Sequence, residues 1–548
     1  MEDFIFGTFA SDELKLLHTR TLAQGLQHGV RIAPYDPLPG EPVILTVRVG
    51  PDLAAEHVAC YYTLDGSEPA GAHGVASNGQ VLMLERTEIV WNTLVWGYLT
   101  RWQGTLPAQP EGVVVRYRIG AWADDGPETF ADWPDVKATI ERAAAAFFRG
   151  EPLPDVSSSP RAGGTEGGIG DPSRGRTFTY RVDRLAPPTW AREAVIYHIF
   201  VDRFYPGKGR DWLQTDDLRG FCGGTLWGIA EKLDYVADLG ATCLWLSPIF
   251  PSPSYHGYDA TDLYHVEPRL GGDEALHALV AQAHERGIRV LLDLACNHVS
   301  DQHPVFQDAR SNLASPHRDW FTFDDSDIGY RTFFGVPSMP QVNVANPGAR
   351  RWLIDVARFW LREFDVDGYR LDHANGPGPD FWPDFWAACK EEKPDCFCFG
   401  EVVDAPDAQL VYAGRLDGCL DFHVGDALRR TFGLGTWSEA ELERFLARHR
   451  AFFPESFLMP TFIDNHDMDR FLYIAQGNKE ALRRAAAAQM RLPGPPIIYY
   501  GTEVGLSQTR STREGRGLHV SRVPMVWGEG QDRELLAYYR ALIRERRG

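Results

Sequence analysis

Between residues 194 and 501 short apolar runs alternate with longer stretches whose apolar positions recur every three or four residues. The first pattern predicts buried parallel strands and the second amphipathic helices, which together mark repeated βαβ units. Eight strands are expected: AVIYHIF (194–200), TCLWLS (242–247), IRVLLDL (288–294), DGYRLD (367–372), CFCFGE (396–401), GCLDF (418–422), LMPTFIDN (458–465) and PIIYYG (496–501). The clearest helix is PGARRWLIDVARFWLREF, with Pro347 in its first turn and Leu353, Val356, Ala357, Trp360 and Phe364 on one stripe. Eight such repeats predict an α/β fold, a closed (β/α)8 TIM barrel over 189–298 and 346–548, with its active site at the C-terminal strand ends. The rhythm breaks at 299–345, rich in Asp, Pro and aromatics without a helical period, which predicts a small inserted subdomain after the third strand.

The first part of the chain follows a different period. EPVILTVRV, HVACYYTLDG and GVVVRYRIGAWADDG are β-rich runs separated by Gly, Pro and Asp turns, so an N-terminal β-sandwich is expected over 1–150. Within it WNTLVWGYLTRW brings Trp91, Trp96, Tyr98 and Trp102 close together, and most of them are expected in the sandwich core. SSSPRAGGTEGGIGDPSRGR (157–176) is almost all turn formers and small polar residues, so 151–188 reads as a linker.

Composition narrows the classes further. With 44% apolar and 12% aromatic residues the chain can bury a large core, which excludes wholesale disorder. Lys plus Arg is 55 against 75 Asp plus Glu, a net charge of -20, so nucleic acid is not an expected partner. The start MEDFIFGTFASDELK has no apolar stretch bounded by a cleavage site, and no apolar run reaches the ~18 residues of a membrane span. Eight cysteines in 548 residues show neither disulfide-scaffold density nor zinc spacing, so the expected location is cytoplasmic.

Polar residues gather where a barrel puts its chemistry. Asp293, Asn297 and His298 end the third strand, Arg370 and Asp372 the fourth, Glu401 the fifth, and Asp464, Asn465, His466 and Asp467 the seventh. Asp372, Glu401 and Asp467 would then share one mouth, and crowded carboxylates have pKa values pushed apart. Glycoside hydrolysis needs that division: an ionised nucleophile, a protonated acid and compensating charge on an oxocarbenium-like transition state. Arg370 lies two residues before Asp372, on the same strand face, where its guanidinium can hold the carboxylate ionised.

With LLDLACNHVS, DGYRLDHAN, CFGEVVD and FIDNHD in that order, residues 190–548 resemble the α-amylase superfamily, family 13 of the glycoside hydrolases. The resemblance implies Asp372 as nucleophile, Glu401 as general acid/base and Asp467 as transition-state stabiliser. It implies His298, Arg370 and His466 as ligands of the sugar on the nonreducing side, and Tyr258 as the platform under that sugar with His256 nearby. Asn375 leans toward the neopullulanase, cyclomaltodextrinase and maltogenic amylase branch, whereas GEVVDAP lacks the tryptophan usual there after the acid.

The implied function is a retaining α-glucan hydrolase cleaving α-1,4-glucosidic bonds of malto-oligosaccharides, cyclodextrins or starch through a covalent glycosyl-enzyme. A transglycosylase, or a sucrose- or trehalose-active enzyme, would use the same triad. A non-catalytic glucan-binding protein would be expected to lose a triad acid, and none is lost. No cofactor is expected to be required: Asn297 matches a calcium position, but Gln341 stands where calcium-dependent members carry Asp, so calcium would be weakly held. The branch also implies a homodimer formed through the N-terminal domain. The chain ends in RELLAYYRALIRERRG, which reads as the eighth barrel helix, so a C-terminal β-domain is expected to be absent.

Overall fold

The computed structural model describes residues 19–124, 126–132, 175–213, 217–514 and 517–548, together with Leu16 and Thr215. In the N-terminal region two antiparallel sheets face each other. One runs Leu26–Gln27, Val43–Val49, Gly97–Leu106, Glu85–Asn92, with Ile32–Ala33 also paired to Val43–Val49. The other runs Thr129–Phe130, Val114–Trp122, His57–Thr63, Gln80–Met83. Strand period two sets the packing: Val43, Leu45, Val47 and Val49 are buried while the residues between them are not.

Two expectations fail in this region. Most of 151–188 lies outside the described residues, but Phe178–Arg181, assigned to the linker, is a strand that pairs antiparallel with Val114–Trp122 from Val114↔Arg181 to Tyr117↔Phe178. Four residues directly after a Gly/Ser/Pro run are too few to show a period, yet Phe178, Thr179 and Tyr180 are all buried. The aromatic cluster is also not mainly core. Trp102 is buried at 6% exposure, but Trp91, Tyr98 and Trp96 are 44%, 63% and 75% exposed on a hairpin whose outer strand, Glu85–Asn92, is open on both faces. Trp96 moreover holds a left-handed backbone (φ 51°), a conformation that costs a non-glycine residue roughly 1–2 kcal/mol.

In the rest of the chain six strands run parallel in sequence order: Ile196–Ile199, Cys243–Leu246, Arg289–Ala295, Gly368–Asp372, Phe397–Gly400 and Gly418–Cys419. The eighth, Ile497–Tyr499, pairs back to the first through Ile196↔Ile497. Of the expected seventh strand only a short extended piece forms, and its parallel bridges Gly418↔Leu458 and Thr461↔Pro496 close the ring. The helix Pro347–Phe364 is capped by Asn346, whose side chain accepts from the backbone N–H of Gly348 and Ala349, and it buries the predicted stripe. The stretch 299–345 is not helix-free: Pro304–Ser311 is helical, its N-cap His303 accepting from Val305 N–H. The bridge His298↔Gln341 ties this stretch to the end of the third strand, and Phe321↔Val342 pairs two parts of the stretch itself.

Among the described residues no helix is long and apolar enough to cross a membrane.

Candidate active site

Parallel register builds the site. Asp293 stands opposite Arg370 and Ala295 opposite Asp372 across the third and fourth strands, so Asp293 and Arg370 share one level and Asp372 stands two residues nearer the strand end. Arg370 is fully buried among three carboxylates. Its Nη1 donates to Asp293 Oδ1 at 2.7 Å and Asp372 Oδ1 at 2.8 Å, and its Nη2 lies 2.9 Å from Glu401 Oε1. Asp293 also accepts from Trp245 Nε1 and from the Tyr258 hydroxyl, each at 3.0 Å. One cation therefore serves three anions away from bulk water.

The consequence is electrostatic. Burial, with the charges of Asp293 and Asp467 behind it, pushes Asp372 up to about 7 against the pull of Arg370. Burial likewise pushes Glu401 up to about 7, helped by Asp372 and Asp467 and opposed by Arg370 and by the His373 N–H, which donates to Glu401 Oε2 at 3.0 Å. Asp372 and Glu401 thus hold a proton between them near neutrality. Asp467 behaves oppositely. Burial raises it, but His466 at 3.0 Å, Arg522 at 2.7 Å and Arg370 together keep it well below the ordinary carboxylate range.

Seven of the eight residues expected at the site form one connected set, and the eighth, His298, reaches it through Phe333 and His373. Tyr258 OH lies 2.6 Å from His466 Nε2 and 3.3 Å from Arg370 Nη1, and its ring is nearly parallel to that of His466. His256 stands beside Tyr258, its Nδ1 accepting from the Tyr258 backbone N–H, and burial pushes it down to about 4, so it is neutral near pH 7. His298 is buried: its Nδ1 is 3.1 Å from Asn297 Nδ2, and its ring meets Phe333, which in turn meets His373.

Several participants had no assigned role in the sequence. Arg522, buried and far along the chain, donates from Nη2 to Asp467 and from Nε to the His466 carbonyl, yet SRVP carries no pattern that distinguishes it. Asp293 was visible as a polar strand end, but its hold on Arg370 needs the inter-strand register. His198 lies flat on Trp245 with centroids 3.6 Å apart, an arrangement no local motif encodes.

Asn297 does not offer a cation site. Its Oδ1 accepts from Gln341 Nε2 at 2.9 Å and its amide faces His298, so it has no carboxylate partner. Among the described residues no group of three or more His, Cys, Asp or Glu could hold a metal ion. A hard divalent ion would need those oxygens, and the residues at Asn297 do not fit one.

Residues 198–534 match the Alpha-amylase family, described as "Alpha amylase, catalytic domain". Alpha-amylase 2 of Dictyoglomus thermophilum is 42% identical over 369 residues, 67% of this chain and 65% of that protein. Cyclomaltodextrinase of Geobacillus thermopakistaniensis is 37% identical over 385 residues, 67% of this chain and 64% of that protein. The chain thus spans just under two thirds of the length of these relatives. A solved structure titled Cyclomaltodextrinase aligns with a TM-score of 0.62 and 25% identity, covering 95% of this chain and 84% of the other.

Proposed function

Because the chain belongs to the α-amylase family, we propose that it is a retaining α-glucan hydrolase that cleaves α-1,4-glucosidic bonds in malto-oligosaccharides, cyclodextrins or starch. One observation carries the reading: Arg370 joins Asp372 and Glu401 through the two arms of one guanidinium, while Asp467 is kept ionised by a separate cation, Arg522. A pair that shares a proton, beside a third carboxylate that stays ionised, can supply nucleophile, proton donor and compensating charge.

In the first step an Asp372 oxygen attacks the anomeric carbon as the bond to the leaving sugar oxygen breaks, and Glu401 gives its proton to that oxygen. In the second, Glu401 takes a proton from water as the water oxygen displaces Asp372, restoring both groups. Asp467 stabilises the positive charge that builds on the ring, and Arg370 orients Asp372 and opposes the rise that burial gives it. Tyr258 offers an aromatic face to the sugar, and His256, His298 and His466 offer ring nitrogens to its hydroxyls.

A Glu401→Gln variant tests the roles. It is expected to lose far more activity on maltotriose than on an α-maltosyl fluoride, whose leaving group needs no proton, while NMR of the first product shows the α-anomer. Equal losses on both substrates, or a β-anomeric first product, would remove the mechanism. Products longer than maltotriose would assign the second step to a sugar acceptor instead of water.

No metal is required in this reading, so activity and melting temperature should be unchanged after dialysis against a chelator. A cytoplasmic location is supported by eight cysteines that are all buried and unpaired. A homodimer through the N-terminal domain is supported by the open edge strand Glu85–Asn92 and by the exposed Trp91, Trp96 and Tyr98 beside it. Sedimentation velocity at several concentrations tests it.

A further inference from the structure

The loop that leaves the fourth strand, residues 373–381, links the two reacting carboxylates. It starts at His373, next to Asp372 and in a left-handed conformation (φ 43°), whose N–H donates to Glu401 Oε2 at 3.0 Å. The next residue, Ala374, donates its N–H to the Glu401 carbonyl at 2.9 Å. At its far end Asp380 is buried, yet its carboxylate is not held by the barrel. It accepts from Arg176 Nε at 2.9 Å and from the Thr179 N–H at 3.1 Å, both in the segment that supplies the last strand of the N-terminal sandwich.

The same strand reaches the next loop as well. The Thr179 carbonyl accepts from Arg415 Nη2 at 3.2 Å, and Arg415 is a fully buried residue between the helix Pro406–Leu410 and the sixth strand. In an antiparallel sheet one residue's N–H and C=O point to the same side. The outward side of Thr179 therefore grips the fourth-strand loop with its donor and the segment entering the sixth strand with its acceptor. Gly378 shows how closely the parts fit: its φ is 84°, and a Cβ there would lie 2.6 Å from Arg176 Nη2, so the guanidinium rests on the loop backbone.

We propose that Arg176 and Thr179 form a clip through which the N-terminal sandwich positions Glu401 against Asp372, with Arg176 and Asp380 as positioning residues for the hydrolysis. The inference rests on the functional reading above and adds a role for a segment outside the barrel. Arg370 and Asp372 face Glu401 from the fourth strand, Asp293 from the third and Asp467 from beyond the seventh. From the clipped loop the His373 N–H reaches the Glu401 carboxylate and the Ala374 N–H its backbone carbonyl. Releasing the loop removes a donor that favours the ionised carboxylate, so Glu401 then keeps its proton to higher pH.

The test is the pH profile of kcat and kcat/KM for full-length Arg176→Ala, Arg176→Lys and Asp380→Asn, assayed well below their melting temperatures on maltotriose. Arg176 is part-exposed, so its variants are expected to fold, and Asp380→Asn keeps an acceptor for the Thr179 N–H. The clip predicts a fall in kcat of roughly tenfold for Arg176→Ala with KM changed less than about twofold, and an alkaline limb moved upward by some tenths of a pH unit. Arg176→Lys should recover part of the loss. Profiles that superimpose on wild type in all three variants would overturn the proposal while leaving the functional reading intact. An inactive wild type would instead overturn that reading.

Discussion

Arg370 offers one positive charge to Asp293, Asp372 and Glu401, so ionising all three leaves net negative charge away from water. The folded pKa of Glu401 is raised from 4.5 to about 7. Its contribution to stability is therefore complete below its unfolded value and is lost as pH rises through about 7. Glu401→Gln keeps the shape and removes that loss. The variant should unfold at the same denaturant concentration as wild type near pH 4 but be more stable at pH 8, by on the order of 1–3 kcal/mol, as urea titrations at both pH values would show. Arg522 acts with the opposite sign on Asp467. In Arg522→Gln one of the cations that overcome burial is gone, so Asp467 takes a proton at higher pH. The acid limb of the kcat/KM profile should move up and activity should fall about tenfold or more.

Individual elements differ in how plainly the sequence announces them. The barrel strands were legible because fully buried parallel strands are short apolar runs, and Arg370 with Asp372 was legible because two residues on a strand share a face. The seventh strand is shorter than its apolar run predicts, since the last bridge to the ring is at Thr461, before FIDN. Phe178–Arg181 was hidden because its partner is more than fifty residues earlier, and Arg522 because its partners His466 and Asp467 come from another part of the chain. The exposed hairpin shows the reverse case, in which apolar residues do not mean core. At Trp96 the φ of 51° suits glycine, so Trp96→Gly should leave the fold unchanged or stabilise it by up to about 1 kcal/mol. If the hairpin forms a dimer, the same substitution should weaken self-association, and thermal melts with sedimentation separate the two effects.

At the scale of the molecule the sandwich is built into the catalytic half. His28, buried in the sandwich, bonds to Tyr117, and the barrel's Arg415 reaches Thr179 in the same region. A chain lacking everything before residue 183 would leave the buried Asp380 and Arg415 without these partners, and an uncompensated buried charge costs roughly 3–5 kcal/mol. The isolated barrel is therefore expected to melt several degrees lower and to lose activity on starch and on cyclodextrin alike. A barrel with unchanged kcat on both would show that the two halves are only tethered.

The late position of Phe178–Arg181 also bears on how the protein is made. Synthesis delivers the N-terminus first, and domains generally fold as they emerge from the ribosome. A nascent chain that ends near residue 150 can pair Val114–Trp122 with His57–Thr63 and with Thr129–Phe130 at Gly120 and Ala121, but Val114 to Tyr117 still lack their second neighbour. Until some thirty further residues have been translated, that half strand is an open edge carrying Val115 and Tyr117, both fully buried in the finished fold. The long stretch between the two strands, turn-rich over 157–176, thus sets a delay, and the sandwich seals only as the barrel begins to appear.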